Sequence, residues 1–309
     1  MTKVIVYCDE SGAKGYANQD EAYPGEVGVF AGIMVPEECL ATEQSIFDKI
    51  AARYTPASGK LHIADISSKQ QEALRAELFA AIKGTNLPCF WYAIHVAGLH
   101  ADHQSQMAML KQHGEALLSA RNGVKPRIRR GSPREEPASM HVELFSGLYS
   151  HLAAFLLERN QQNVDVEIRT DQVDTPIVNR FTEVAKELLS NDPNVATVTG
   201  FDTVEKRIVT GSVTVEVKFP PALNLPLLVN SLSIVTVPDS DGLVLAADVL
   251  ANSLNHLFKN RNADTRYGPL NCKDAVVAHP LAAHLDTFSN WGAEDCVGDG
   301  IYRHPKATT

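Results

Sequence analysis

The sequence KVIVYCDESG at residues 3–12 decides how this chain is interpreted. Its first six residues form a β-branched, apolar run that predicts a buried strand. The run ends at Asp9 and Glu10, and Gly12 follows in a turn. Ligands collect at the carboxyl ends of strands in open sheets, so Asp9 is a candidate site residue. An aspartate at that place is more often a turn or cap residue, and a functional assignment needs other acids to join it.

Apolar periodicity along the rest of the chain predicts strands and helices in alternation. Residues 25–35 and 87–96 are predicted strands, and the second is expected in the centre of its sheet because it is rich in aromatic and β-branched residues. Further strands are expected over 164–170 and at three places between 195 and 236. Helices are predicted over 37–53, 67–82, 104–120, 140–158, 176–189, 242–258 and near 281–288. This order implies an α/β fold, with a mixed sheet whose faces are covered by helices.

Length and composition bound the class of protein. The 309 residues are 44% hydrophobic and 21% charged, which indicates a packed globular chain. No apolar stretch approaches the roughly 18 residues of a membrane helix, and the N-terminus has no signal-peptide layout, so we expect a cytoplasmic protein with no membrane partner. Five cysteines without a C-x-x-C pair indicate reduced thiols. Phosphate-loop, dinucleotide, zinc-protease and hydrolase-elbow motifs are absent, which argues against those enzymes.

We expect one domain over residues 1–260, an insertion around 121–137, and a C-terminal extension over 261–309 that packs on that domain. The net charge of -9 argues against binding of nucleic acid through the overall field, so local basic patches must carry such binding. The insertion supplies one such patch, RNGVKPRIRRGSPREE. Its candidate substrate contacts are Arg127, Arg129 and Arg130. The alternative is a solvated surface loop, and the sequence leaves the oligomeric state open.

Two further carboxylates strengthen the interpretation of Asp9. Asp171 follows the strand-like run VDVEIRT and would lie on the same rim as Asp9 if the two strands are neighbours. Asp248 lies in an otherwise apolar helix, where an ionised side chain is costly to desolvate unless a cation or hydrogen-bond donors compensate. Asp248 alone would more readily be interpreted as a carboxylate that reaches solvent or a basic partner. The three positions together favour a site.

The order of these segments resembles a known family. YCDESG, the strand FAGIMVP, the segment KLHIADIS, the strand end RTDQ and the helix LAADVLANSLN, spread over residues 4–258, look like the prokaryotic domain of unknown function 3800. Members of that family open with Asp-Glu-Ser-Gly and carry an ADxxA motif on a late helix. The resemblance implies a ribonuclease H-like mixed sheet flanked by helices, with helical insertions.

The resemblance also implies a set of acidic residues that bind magnesium or manganese. Asp9 on the first strand, Asp171 on the fourth and Asp248 on the late helix are the implied metal ligands. A further catalytic acid is expected on an earlier helix. Glu143 is the candidate by its order in the chain, and Glu158 or Glu10 are the alternatives.

These residues predict a Mg²⁺- or Mn²⁺-dependent nuclease or phosphodiesterase acting on nucleic acid, with Asp9 bridging two ions. Lys14 would direct a phosphate as a point charge, and Ser11 and His62 are further candidate substrate contacts, His62 also as a proton shuttle. Each of these three is more often a simple loop or cap residue. The alternative function is a non-catalytic nucleic-acid- or protein-binding module that keeps the fold and cleaves nothing.

Overall fold

Two β-sheets organise the chain. The computed structural model describes residues 2–56, 61, 63, 66–120, 127–130, 137–171, 175–190, 194–215, 225–238, 240–285 and 297–307. The strands of the described residues are β1 (Lys3–Gly12), β2 (Val27–Pro36), β3 (Cys89–His95), β4 (Ile128–Arg130), β5 (Val164–Thr170), β6 (Asn194–Asp202), β7 (Arg207–Val215) and β8 (Val229–Thr236). A five-stranded sheet has the order β3-β2-β1-β5-β8, and a three-stranded sheet has the order β4-β6-β7.

Most helices lie where the periodicity predicts them, but the helix that begins at Val96 starts eight residues earlier than predicted, and the helix that begins at Val297 was not predicted. The helices are α1 (Leu40–Tyr54), α2 (Ser68–Thr85), α3 (Val96–Ala120), α4 (Met140–Glu158), α5 (Thr175–Leu189), α6 (Gly242–Lys259), α7 (Ala282–Leu285) and α8 (Val297–Ile301). Side-chain caps define two of the starts: Ser67 and Gln70 form a capping box at α2, and Asp241 accepts hydrogen bonds from the first backbone N–H groups of α6. Within the described residues, no helix combines the length and the apolar character that crossing a bilayer requires.

The larger sheet is mixed, as the sequence predicts. β1 pairs antiparallel with β2 and parallel with β5, and β5 pairs parallel with β8. Side chains of β1 alternate between two apolar cores. Ile5 and Tyr7 pack in a core with α1, α2 and α6, whereas Val4, Val6 and Cys8 pack in a core with α4 and α5. Because helices cover both faces, the strand is a continuous apolar run in the sequence. The α/β class with a helix-flanked mixed sheet is therefore confirmed.

β3 lies at the edge of the sheet, so its predicted central position is wrong. All seven of its residues are nevertheless buried. The reason is that residues 268–271 cover the edge and form hydrogen bonds with its backbone. Ala93 N–H donates to Asn271 Oδ1 at 2.6 Å, and Asn271 Nδ2 donates to the Ala93 carbonyl at 2.8 Å. Trp91 Nε1 also donates to the Leu270 carbonyl at 3.3 Å. An edge protected in this way has the composition of a central strand.

The predicted insertion contributes a strand to the smaller sheet. Within it, β4 pairs antiparallel with β6, which pairs antiparallel with β7. Residues beyond 260 contribute Leu270, Val276, Leu281 and Leu285 to the core around α6. The division of the chain at residue 260 stays a prediction.

We expect Asn271→Ala to lower the free energy of unfolding by about 2–4 kcal/mol, because it leaves the N–H and the carbonyl of Ala93 buried without partners. Urea unfolding followed by far-UV circular dichroism measures this change. The matched control is Asn230→Ala, an exposed asparagine of β8 that donates to Asp165, for which we expect a loss of less than about 1 kcal/mol. Equal losses in the two variants would contradict the edge-protecting role of Asn271.

Candidate metal centre

The register of β1 and β5 brings two acids together. Tyr7 pairs with Arg169 in the parallel ladder, and Asp9 and Asp171 each lie two residues further along, beyond the carboxyl end of β5. Carboxylate oxygens of Asp9, Glu10 and Asp171 lie within 4.8 Å of one another. The predicted convergence of the strand ends is thus present in the structure.

Asp248 lies on helix α6, which packs on β1 and β2. Asp9 is 7% exposed. Burial raises the pKa of Asp9 most, and the negative charges of Asp248, Asp171 and Glu10 add to the rise in that order, so that the pKa reaches about 9. The Glu10 N–H donates to Asp9 Oδ1 at 2.8 Å and opposes the rise. We call Asp9, Glu10, Asp171 and Asp248 the acidic cluster.

Glu10 lies on the opposite face of β1 from Asp9 and points towards α4. Its side chain is 9% exposed. Glu10 Oε1 accepts a hydrogen bond from Lys14 Nζ at 2.6 Å, and Glu10 Oε2 lies 3.6 Å from His141 Nε2. Both Glu10 Oε2 and His141 Nε2 are buried without a hydrogen-bond partner in the described part of the chain. A buried carboxylate oxygen without a donor is costly, so the site favours a further positive group.

His141 is a site residue that the sequence analysis missed. Burial lowers its pKa, and the charge of Lys14 lowers it further, while Glu10 and Asp171 oppose the shift. The imidazole is therefore held neutral beside the acidic cluster. The available signal was weak, since His141 is simply the second residue of an amphipathic helix.

Glu143, the predicted helical acid, does not join the acidic cluster. It lies two positions after His141 on α4, which turns its side chain by roughly 200° from that of His141. Glu143 Oε2 instead accepts a hydrogen bond from the Tyr302 hydroxyl at 2.8 Å. Glu10, one of the alternatives, occupies the place that the prediction gave to Glu143. The order of the acids along the chain predicted a ligand on a helix. The residue that joins the cluster in the structure is Glu10, which follows Asp9 in β1.

Lys14 and Ser11 both lie at the turn beyond the acids. Lys14 is half-exposed, and Glu10 and the neighbouring acids raise its pKa although burial opposes them. Ser11 contributes a backbone carbonyl, which accepts from Asn255 Nδ2 at 3.4 Å. Gly12 has φ +88°, and a Cβ there would lie 2.1 Å from Asn255 Nδ2. Glycine is therefore required where the chain turns away from the site.

The predicted basic contacts are not brought to the cluster by any described contact. Arg127 donates from Nε to Asp202 Oδ2 at 2.9 Å and also binds Glu205, so its guanidinium belongs to ion pairs of the smaller sheet. Its predicted substrate role stays a prediction. Of Arg129 and Arg130 only the backbone is described, in β4 opposite Phe201 and Gly200. His62 lies outside the described residues.

The donor set fits a hard divalent cation. Such cations prefer carboxylate oxygens and are held by few protein ligands. Burial and mutual repulsion destabilise the ionised form of Asp9, and a bound cation would offset both effects. A cation would also contact Glu10 Oε2, the buried oxygen that has no hydrogen-bond donor in the described residues. Comparison of the chain with protein-family models, with curated proteins and with solved structures gave no match. The assignment of this centre therefore depends on its own geometry.

We expect the stability of the metal-free protein to fall with rising pH because of Asp9. The pKa of Asp9 is about 9 in the folded protein, above its value in the unfolded chain. Between these two pKa values only the folded state keeps the proton, so the free energy of unfolding decreases as the pH rises towards about 9. Between about pH 7 and about pH 8 the histidines contribute little, and the cysteines, whose unfolded pKa is about 8.5, are mostly protonated in both states. Urea unfolding in chelator should give a slope of up to about 1.4 kcal/mol per pH unit.

The same measurement on Asp9→Asn isolates the effect, because the amide keeps the shape and loses the titration. We expect most of the slope to disappear in that variant. The control Asp165→Asn changes an acid at the opposite end of the sheet, whose pKa is lowered by hydrogen bonds from Ser231 and Asn230, and should keep the slope. An unchanged slope in Asp9→Asn would contradict the raised pKa of Asp9.

Proposed function

We propose that this chain is a divalent-metal-dependent phosphodiesterase with a ribonuclease H-like fold, acting on nucleic acid. Mg²⁺ or Mn²⁺ would be held by Asp9, Asp171 and Asp248, with Glu10 as the additional acid. The observation that carries the proposal is the approach of Asp9, Glu10 and Asp171 to within 4.8 Å at the ends of two neighbouring parallel strands.

The topology supports the fold part of this proposal. In the resemblance described above, the acids come from the first strand, a helix that follows it, the fourth strand and a late helix, and the helical acid is the one for which Glu10 of β1 is proposed here. β5 is the fourth strand of the five-stranded sheet in chain order, because β4 belongs to the other sheet. α6 is the helix that follows the last strand and packs on β1. The sources of Asp9, Asp171 and Asp248 agree with that pattern.

The residues around the cluster suit phosphodiester chemistry. A bound divalent cation supplies charge stabilisation at the phosphate and lowers the pKa of a bound water. Lys14 is a half-exposed cation that is hydrogen-bonded to Glu10, and it would orient the substrate phosphate at the rim of the site. Neutral His141 lies against Glu10, with its Nε2 at 3.6 Å from Glu10 Oε2, and limits the space that this carboxylate can move into.

We expect Asp9→Asn and Asp171→Asn each to lower metal-dependent cleavage by at least about 100-fold, since a cation supplies several kcal/mol at the transition state. Both variants should fold, because Asp171→Asn removes a charge from a repulsive cluster and Asp9→Asn replaces a carboxyl group that keeps its proton below about pH 9 in the metal-free protein. Calorimetric titration with Mn²⁺ and Mg²⁺ measures binding. Assays on single-stranded, duplex and hybrid substrates measure cleavage. The control is Asp165→Asn, which carries the same substitution at the other end of β5, the strand that Asp171 follows.

The outcomes separate the two functions that the sequence left open. The enzymatic function is supported if the wild-type protein binds metal and cleaves nucleic acid, and if both variants lose that cleavage. Neither metal uptake nor cleavage by the wild-type protein favours the non-catalytic binding module. Cleavage that survives in both Asp9→Asn and Asp171→Asn would remove the proposed centre.

A separate pair of variants tests which acid completes the centre. We expect Glu10→Gln to weaken Mn²⁺ binding about tenfold or more, because it removes an anionic oxygen from the group of three. Glu143→Gln should leave Mn²⁺ binding unchanged within about twofold, because Glu143 is paired with Tyr302. Calorimetry on the two variants measures this difference, and the reverse order of effects would restore Glu143 as the helical ligand.

A further inference from the structure

A cavity opens beside the acidic cluster, between the loop 13–22 and the first residues of α3 and α4. Its volume is about 210 Å³, and it is partly open to solvent. Its lining includes one aromatic ring, one ammonium group and several acceptors: Tyr16, Lys14, Gln19, Asp20 and Glu26. We call this space the Tyr16 cavity. Its size suits a small organic group, and its lining is more polar than that of an apolar docking groove.

The loop that carries Tyr16 is held in place by backbone contacts to the start of α4. Tyr16 forms an isolated β-bridge with Ser139. On either side of it, Ala17 N–H donates to the Ala138 carbonyl at 2.8 Å and Met140 N–H donates to the Gly15 carbonyl at 2.9 Å. The Tyr16 side chain is nevertheless 54% exposed. An aromatic ring is thus presented to solvent from a fixed backbone position.

Lys14 connects the Tyr16 cavity to the acidic cluster. It lines the cavity, and its Nζ donates to Glu10 Oε1 at 2.6 Å. A phosphate that contacts Lys14 would therefore lie between the acids and the cavity. The group attached to that phosphate would reach the Tyr16 ring.

We propose that the Tyr16 cavity binds one unpaired base of a single-stranded nucleic acid, with the adjoining phosphate directed by Lys14 towards the acidic cluster. This inference rests on the proposed phosphodiesterase function and names its substrate class. Aromatic side chains bind bases of single strands by stacking, which a duplex prevents because its bases are already stacked.

The polar lining adds a preference among bases. Carboxylate oxygens accept hydrogen bonds and donate none, so two lining acids can receive an exocyclic amino group. They are Glu26, whose Oε2 also accepts from the Ala22 N–H, and the exposed Asp20, whose Oδ1 lies 3.7 Å from His100 Nε2. Cytosine and adenine present such a donor, whereas thymine presents an acceptor at the same position. The cavity is therefore expected to favour cytosine over thymine at this position.

The experiment measures binding of labelled single strands by fluorescence anisotropy, with Ca²⁺ in place of Mg²⁺ as the hard cation. The probes are oligodeoxycytidine, oligothymidine and a duplex, each about 12 nucleotides long, within the site sizes of single-strand binding proteins. We expect Tyr16→Ala to weaken binding of oligodeoxycytidine by about 5- to 150-fold, the range of base–aromatic stacking. The matched control Tyr16→Phe keeps the ring and should bind within about twofold of the wild-type protein.

The result also separates this inference from the proposed function. Loss of binding in Tyr16→Ala, retention in Tyr16→Phe and tighter binding of oligodeoxycytidine than of the other probes support the cavity as a base site, whether or not cleavage is found. Equal binding by Tyr16→Ala and the wild-type protein, or wild-type binding of duplex as tight as that of single strand, overturns it even if Asp9-dependent cleavage occurs. Circular dichroism of each variant confirms that it is folded.

Discussion

The parallel pairing of β1 with β5 is the constraint on which the candidate site depends. Its register is favoured by close packing, because a slip of one residue would exchange Val4, Val6 and Cys8 with Ile5 and Tyr7 between the two apolar cores. In this register Asp9 and Asp171 lie side by side. Packing of the cores therefore brings two carboxylates together, and burial, with the neighbouring charges of Asp248 and Asp171, raises the pKa of Asp9 to about 9.

The regular elements were predictable because their signals are local. The alternation in VDVEIRT and the amphipathic run over α4 depend on neighbouring residues alone, and the structure has both elements with the predicted bounds. The position of β3 was not predictable in this way. Its edge is covered by Asn271, which lies 178 residues beyond Ala93 in the chain, and a strand protected by a distant segment has the same composition as a central one.

The residues of the candidate site differ in the same way, since some carry a local sequence signal and others are recognised only from the packing. Asp9, Asp171 and Asp248 carry local signals, as acids at strand ends or within an apolar helix; the structure brings Asp9 and Asp171 together, and the charge of Asp248 contributes to the raised pKa of Asp9. Glu10 and His141 acquire their roles only when β1 and α4 pack together, because Glu10 faces the opposite side of the strand from Asp9. Chain order alone placed the additional acid at Glu143, whereas the turn of the helix directs that side chain to Tyr302.

The acids of the cluster repel one another. Carboxylate oxygens of Asp9, Glu10 and Asp171 lie together, Lys14 donates to Glu10, and burial holds the nearby imidazole of His141 neutral. A proton on Asp9 or a bound cation would each lower this repulsion. The two would compete for the same carboxylate, so in the proposed function cation binding would be linked to release of the Asp9 proton. Lys14 would then connect the cation with the base proposed to bind in the Tyr16 cavity.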